Sequence, residues 1–307
     1  MKKITLHIFL IIAGLLTLAP FIWMVSASLM NDGHASVYPP RFFPDEVTFI
    51  QFERLFSRLS VSRNLLNSVI VSFLVTFISL IFNSMAGYAF AKYRFAGKDK
   101  LFSLLLSSMI IPAQVTMLPL FLMLKSFGFI NTYLAIIIPG MANIFGIFLI
   151  KQYAMSIPDS IIESARMDGA SDFQIYWKII LPLCTPILVT LAIFTFMGTW
   201  NDFLWPLIAL TDSSMYTLPV ALANLMGEHT KDPELMMAGS VITIIPIIIV
   251  FLALQKYYIK GIMMGSVKEW LKVISIKLKW RVTFWKNLIK KDKNYGNSWI
   301  KERFKNL

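Results

Sequence analysis

The chain has 307 residues, a formal net charge of +12 and one cysteine, and 57% of its residues are hydrophobic while only 15% are charged. Soluble domains are usually about 45–50% apolar and about 25% charged, and the mean hydropathy here is +0.66. This composition excludes an ordinary soluble domain, and a single cysteine excludes a disulfide framework within the chain.

The apolar residues are grouped in runs of about 20, which is the length a helix needs to cross a hydrocarbon core of about 30 Å. A transmembrane β-barrel would show short alternating segments instead. We therefore predict an all-α integral membrane protein. Its six transmembrane helices are expected at about residues 4–28, 67–91, 101–123, 134–151, 182–209 and 237–258.

The first apolar run has two interpretations. Lys2 and Lys3 precede it and Val25-Ser26-Ala27 offers small residues, as in a cleavable signal peptide. The run is longer than a signal core and contains Pro20 and Trp23. We expect a retained transmembrane helix.

Lys and Arg in the short loops predict the orientation. Basic residues precede the first span and follow the second and sixth spans: Lys2, Lys3, Lys92, Arg94, Lys98, Lys100, Lys256 and Lys260. The loops after the third and fifth spans offer only Lys125 and Lys231. We expect both termini and residues 152–181 in the cytoplasm.

Polar residues inside the spans have an ordinary explanation. Asn83, Gln114 and Asn143 are expected to form hydrogen bonds between helices. Proline interrupts several spans, and a kinked or broken helix is tolerated where the freed backbone groups face protein or water. These prolines are Pro112, Pro119, Pro139 and Pro246.

Residues 157–182, here called the polar loop, carry four acids and two bases between two apolar spans. Ser156-Ile-Pro-Asp159 is typical of a helix start, with a serine cap and proline in the first turn. Gly169 can adopt the left-handed turn that ends this helix. Ser171 to Gln174 form a capping-box pattern that starts a second helix, and Leu181-Pro182 ends it or bends it into the fifth span.

Ile161, Ile162 and Ala165 form an apolar ridge on the first of these helices. Such a helix could rest on lipid headgroups or dock in the groove of a partner. The four acids of the loop make the lipid alternative less favourable, because the inner leaflet is anionic.

Three segments resemble permease subunits of ABC importers. Glu163-Ser164-Ala165, then Gly169 and Ile180-Leu181-Pro182, resembles the EAA loop of this family, with Ser164 in place of alanine. Two further segments resemble the sugar-uptake group, of the maltose-permease G type: Trp200 to Leu207, and Gln255 to Gly261 followed by Gly265 to Lys268. The resemblance covers about residues 1–268.

The resemblance implies a type I ABC importer permease fold with six transmembrane helices in the bacterial inner membrane. Residues 1–63 would form the first helix and an extracytoplasmic loop, 64–258 the permease domain with its EAA loop at 157–182, and 259–307 a cytoplasmic basic tail. The implied partners are a second homologous permease, two ATPase subunits, an extracytoplasmic solute-binding protein and a sugar. The resemblance also implies which residues couple ATP hydrolysis in the partner to transport. These are Glu163, Ser164, Ala165, Asp168 and Gly169.

The chain itself is not expected to be an enzyme or to hold a cofactor. It contains no G-x-x-x-x-G-K-[ST] phosphate loop, so energy would have to come from an ATPase subunit. A membrane enzyme would need a nucleophile or metal motif, and G-x-S-x-G and H-E-x-x-H are both absent. His7, His34 and His229 lie too far apart in sequence to predict a metal site.

A secondary transporter is a further alternative, but it would need internal repeats and an ionisable relay at mid-membrane. The sequence shows neither. Within the ABC interpretation the substrate stays open between a sugar or oligosaccharide and a phosphorylated polyol such as glycerol-3-phosphate.

Asn201 and Asp202 are polar residues close to an apolar span, and a carboxylate buried in a membrane is by default a functional candidate. With Trp200 they are candidates for the substrate path, because aromatic faces and hydrogen-bonding side chains suit a polyol. The alternative is that the span nears the membrane interface here, with Trp200 and Trp205 as belt residues and Asp202 in contact with water.

The tail at 268–307 carries twelve Lys or Arg and three Asp or Glu, interleaved with four tryptophans. Contact with anionic membrane lipid is the favoured interpretation. The alternatives are no specific role and, less favoured, nucleic-acid binding, which nothing else in the chain supports; we expect no nucleic-acid partner.

Overall fold

The computed structural model describes residues 2–39, 41–58, 60–228 and 232–263, and this part of the chain is helical without strands. The helices are α1 (Lys2–Ser28), α2 (Ile50–Arg58), α3 (Val61–Lys92), α4 (Lys98–Ser108), α5 (Ala113–Ser126), α6 (Leu134–Gly140), α7 (Ile144–Met155), α8 (Asp159–Met167), α9 (Asp172–Ile175), α10 (Leu181–Leu183), α11 (Thr185–Trp200), α12 (Leu204–Ala209), α13 (Leu218–Glu228) and α14 (Pro233–Met263). The basic tail at 268–307 lies outside the described residues.

Four helical segments are long and apolar enough to cross a membrane, and up to six if each of two bent pairs is one span. The four are α1, α3, α6 with α7, and α14; the bent pairs are α4 with α5 and α9–α10 with α11. The prediction of six spans agrees with the upper number. The prediction that the third span is one continuous helix is wrong, because the axes of α4 and α5 are bent by 103° relative to each other.

The break between α4 and α5 lies at Pro112, which occupies the N-terminal cap of α5. Proline has no backbone N–H to continue the helical ladder. Two other predicted spans are also interrupted. Residues 141–143 separate α6 from α7, and residues 201–203 separate α11 from α12. Broken helices of this kind expose backbone polar groups that need protein or water nearby.

The long helix α3 lies at the centre of the packing, with its most extensive contacts to α7 and α11. It is apolar on average but buries a stripe of small polar side chains. The stripe consists of Asn64, Asn67, Ser68, Ser72, Ser79, Asn83 and Ser84. Amides and hydroxyls buried in a membrane protein need partners within the protein. The buried face of α3 therefore requires neighbouring segments that supply hydrogen-bonding partners.

Helix α1 has little contact with the rest of the chain. None of its most apolar stretch is buried, and only residues near its C-terminal end, such as Ala27 and Met30, are covered. The following segment fastens that end, since Gln51 Nε2 donates to Met30 O at 3.2 Å and Ala35 N donates to Glu234 Oε1 at 2.7 Å. The apolar sides of α1 are thus free for lipid or another subunit.

Candidate functional site

The polar loop begins directly after α7 and its first helix is α8. Pro158 is the residue before that helix, and no side chain caps it. The predicted serine cap is wrong: Ser156 is the C-terminal cap residue of α7, and its hydroxyl donates to Tyr153 O at 2.6 Å. Pro158 lies one position before the expected first turn, at the N-terminal cap, where it supplies the extended backbone that starts α8 (φ −60°, ψ 134°).

The elbow after α8 has the predicted construction. Gly169 has φ +80°, a conformation that costs a residue with a side chain about 1–2 kcal/mol. The N–H groups of Gly169 and Ala170 donate to the carbonyls of Arg166 and Ala165, each at 3.0 Å. This pair of bonds is the Schellman arrangement that ends helices at a glycine. Gly169 therefore ends α8 and redirects the chain.

The second helix starts with the predicted capping box. Gln174 N donates to Ser171 Oγ at 3.3 Å and Ser171 N donates to Gln174 Oε1 at 3.0 Å. Arg166 and Asp172 form an ion pair of 2.9 Å across the elbow. Both partners are more than half exposed, so this pair contributes little to stability. The helix caps at Gly169 and Ser171 therefore contribute more to the shape of the elbow than this ion pair does.

The loop joins the membrane helices through a wide turn and a bend. Residues Tyr176–Ile180 form a π-helical turn, which continues into α10. The axis then bends by 77° at Cys184 to enter α11. The predicted bend is confirmed, although it lies two residues beyond Pro182.

The apolar ridge of α8 faces the protein. Ile162 and Ala165 are buried and Ile161 is half-buried, which argues against both the lipid contact and the docking ridge considered from sequence. The exposed side chains around the elbow include Glu163, Arg166, Met167 and Phe173, and Met167 and Phe173 are 83% and 67% exposed. Partner contact would therefore involve a mixed charged and apolar surface around the elbow.

The start of α8 is fastened to the end of α3 by Lys92. Its ammonium donates to Ile157 O and lies 2.6 Å from Asp159 Oδ1. The Lys92 side chain is only 8% exposed, so the charge depends on these partners rather than on water. The hydrogen bond from Lys92 lowers the pKa of Asp159 below its ordinary value. Sequence reasoning used Lys92 only as a marker of orientation.

A second contact joins α3 to the far side of the loop. The Ser84 and Tyr176 hydroxyl oxygens lie 2.6 Å apart and both side chains are buried. The rings of Tyr88 and Tyr176 lie 5.9 Å apart. Neither Ser84 nor Tyr176 was singled out from sequence. A lone serine in an apolar run is common in membrane helices, and it carries no sign of its partner.

The three residues expected on a substrate path have different surroundings. Trp200 is buried within the chain, stacks on Phe196 and donates from Nε1 to Thr243 O at 3.1 Å. Asp202 is half-buried and lies two residues before α12, with its carboxyl near the backbone N–H groups of Phe203 and Trp205. Asn201 is exposed, and its amide donates to Met197 O at 2.9 Å.

A cavity of about 270 Å³ lies immediately before Trp200 on α11 and beside the break between α6 and α7. Its walls combine aromatic, polar and small residues: Val75, Gly140, Asn143, Phe145, Leu191, Phe194, Thr195, Gly198 and Thr199. The hydroxyl of Thr195 is buried and has no partner in the described part of the chain. The cavity thus offers hydrogen-bonding groups next to aromatic faces.

No group of three or more His, Cys, Asp or Glu that could hold a metal ion occurs among the described residues.

The chain resembles known transport proteins along most of its length. Residues 83–263 match the family of binding-protein-dependent transport system inner membrane components. The arabinooligosaccharides transport system permease protein AraQ of Halalkalibacterium halodurans is 37% identical over 85% of this chain and 92% of its own length. The melibiose/raffinose/stachyose import permease protein MelC of Bacillus subtilis is 34% identical over 81% of this chain and 91% of its own.

A solved structure extends the likeness to three dimensions. One chain of a bacterial ABC transporter involved in the import of the acidic polysaccharide alginate aligns with a TM-score of 0.73 and 28% identity, over 84% of this chain and 96% of that one. The helical architecture, with its broken spans and polar loop, is thus that of a type I ABC importer permease. The chain belongs to the family of binding-protein-dependent transport system inner membrane components.

Proposed function

We propose that this chain is the permease subunit of an ABC importer that moves a sugar or oligosaccharide across the membrane. The observation that carries the proposal is the similarity, along more than four-fifths of the chain, to permeases named for arabinooligosaccharide and for melibiose, raffinose and stachyose transport. The cavity suits such a cargo, because hydroxyl and amide groups can bind sugar hydroxyls while aromatic faces pack on the ring.

We propose that a separate ATPase supplies the energy and binds at the polar loop. The exposed Glu163, Met167 and Phe173 surround the Gly169 elbow, which is a compact projection between two capped helices. Ser164 and Ala165 make contacts within the chain. The Ser164 hydroxyl donates to Ser160 O of the same helix at 2.7 Å, and the Ala165 side chain is buried. Asp168 is exposed and is the C-terminal cap residue of α8. A rigid projection of this kind can transmit movement of a partner to the membrane helices.

The substrate path is proposed to run along the cavity and the adjoining turn. Asn201 is the side chain of the Trp200–Asp202 turn that can face it, because it is exposed. Trp200 and Asp202 stabilise this turn. Trp200 donates a hydrogen bond to Thr243 O of α14, and the Asp202 carboxyl lies near the backbone at the start of α12. The interface alternative does not suit Trp200 and Trp205, because both side chains are buried in the chain and cannot serve as belt residues.

The further partners follow from the same assignment. We propose a second homologous permease, which with lipid covers the free sides of α1, and an extracytoplasmic binding protein, in keeping with the name of the family. We also propose that both termini and the polar loop lie in the cytoplasm. Residues 1–63 then form the first helix and an extracytoplasmic loop, 64–258 the permease domain, and 259–307 the tail.

Uptake into proteoliposomes tests the proposal. The chain is purified with its partner permease and ATPase, reconstituted, and supplied with ATP and the binding protein. We expect ATP-dependent uptake of a labelled arabinose- or galactose-containing oligosaccharide, abolished by omitting the ATPase. Uptake of glycerol-3-phosphate but of no sugar would replace the sugar assignment by the polyol alternative, and uptake driven by an ion gradient without ATP would contradict the proposal.

A further inference from the structure

Two consecutive residues of α3 face two different functional elements. Ser84 faces the polar loop, where it contacts Tyr176, and Asn83 faces the break between α6 and α7, where it contacts Asn143. Successive side chains on a helix point about 100° apart, so two adjacent residues can contact different segments of the protein. The loop and the wall of the cavity are thus attached to the same turn of one helix.

The attachment to the loop is a buried hydrogen bond with a defined direction. The Ser84 hydroxyl donates to Ile81 O at 3.0 Å, so its proton is already used. We therefore assign the Tyr176 hydroxyl as the donor in the 2.6 Å contact with Ser84. Ser84 and Tyr176 are 2% and 5% exposed. Water cannot easily replace this bond, so separating the loop from α3 leaves a buried donor unpaired.

The attachment to the cavity wall is equally specific. Asn83 is fully buried, and its amide nitrogen donates to Ser79 Oγ at 2.7 Å. Its amide oxygen accepts from Asn143 N at 3.0 Å. Asn143 lines the cavity and caps α7 by accepting from Gly146 N at 2.6 Å. The break that borders the cavity is therefore held in place by α3.

We propose that Asn83 and Ser84 are positioning residues that transmit displacement of the polar loop to the α6–α7 break, with α3 as the connecting element. The inference rests on the proposed function, because it concerns how movement at the loop reaches the path. Movement of Tyr176 shifts this turn of α3, and the same turn shifts Asn143. Lys92, two turns further along α3, holds the other end of the loop to the same helix.

The variant Tyr176→Phe tests the link, because it removes one hydroxyl and leaves Ser84 with its bond to Ile81. Tyr133→Phe is the matched control: Tyr133 also donates to a polar residue of α3, Asn67 Oδ1 at 2.6 Å, but near the opposite end of that helix. The measurement is the number of substrate molecules transported per ATP hydrolysed by the complete reconstituted transporter. We expect this ratio to fall roughly two- to tenfold in Tyr176→Phe, as loss of one buried hydrogen bond implies, and to stay unchanged in Tyr133→Phe.

A merely structural role would lower the yield of the complex and both rates together, without changing the ratio. An unchanged ratio in Tyr176→Phe, or an equal fall in both variants, would overturn the link through α3. Ser84→Ala probes the same bond from the other side and should lower the ratio as well; a normal ratio there would also overturn the link. Absence of ATP-driven uptake by the wild-type complex would instead contradict the proposed function.

Discussion

Gly169 is the residue on which the shape of the polar loop depends most directly. Its φ of +80° is a conformation that side chains disfavour, whereas an added Cβ would meet no atom within 4 Å. The requirement is therefore conformational rather than steric. Asparagine adopts this conformation at much lower cost than β-branched residues, and the two kinds of substitution can be separated by experiment.

We predict that Gly169→Val uncouples the transporter and that Gly169→Asn largely preserves it. A left-handed backbone costs an ordinary side chain about 1–2 kcal/mol and a β-branched one more, so valine should distort the elbow. ATP-driven uptake and ATPase activity of the reconstituted complex are measured together. Full ATP-driven uptake by Gly169→Val would contradict the role of the elbow.

Asp159 and Lys92 form a contact whose strength should depend on pH. The hydrogen bond from Lys92 lowers the pKa of Asp159 from its ordinary value of 3.8. A carboxyl whose pKa is lowered by folding stabilises the folded state above its ordinary pKa, and this contribution is lost as the pH falls through the lowered value. The contact is thus complete at neutral pH and is lost only in acid, below pH 3.8.

We predict that Asp159→Asn lowers the thermal midpoint of the purified complex at pH 7, and that the difference from wild type narrows as the pH falls below 3.8. The control is Asp168→Asn, which removes a charge from the same loop where the described residues supply no ion pair. Thermal unfolding from pH 7 to pH 3 checks this. A difference that is independent of pH would mean that the carboxylate charge is not what Lys92 recognises.

At the scale of elements, α3 and α6 approach closely at Gly140. A Cβ placed on this glycine would lie 2.7 Å from Val75 Cγ1 but 3.7 Å from Val75 Cβ. The short distance is closer than real Cβ contacts, and the long one is ordinary van der Waals contact. A side chain at position 140 would thus clash with one methyl group of Val75, which belongs to α3. The packing of two elements that border the cavity depends on this pair of residues.

We predict that Gly140→Ala destabilises the protein by about 1–3 kcal/mol, as overpacking usually does, and that Val75→Ala in the same chain relieves part of the cost. Residues in contact give non-additive effects in a double-mutant cycle. Stability is measured by denaturant or thermal unfolding in detergent for the two single variants and the double variant. Additive effects would show that the two helices separate freely at this point.

At the scale of the whole molecule, the chain combines a permease of known architecture with a basic tail. The family match ends at residue 263, and residues 268–307 hold +9 of the total charge of +12. Basic residues near an anionic bilayer each contribute about 1 kcal/mol of attraction. We retain the proposal that residues 268–307 bind lipid; this segment lies outside the described residues.

We predict that truncation after Gly265 reduces membrane assembly or transport in vesicles rich in anionic lipid, and has little effect in neutral vesicles. The physical reason is that attraction between the tail and the surface requires charge on both sides, so added salt should also abolish the difference. Assembly is followed by co-purification of the partner subunits and transport by uptake. Equal behaviour of the full-length and truncated chains in both lipids would exclude a functional tail.

The sequence by itself determined the class of this protein. Long apolar runs, the glycine elbow at Gly169 and the capping box at Ser171 are local patterns, and the structure has them because each depends on neighbours within a few residues. Only the tertiary structure decided that the ridge of Ile162 and Ala165 faces inward, that Trp200 packs on α14, and that Ser84 meets Tyr176. These are contacts between residues tens of positions apart, and no local pattern encodes which face of a mostly apolar helix meets which partner.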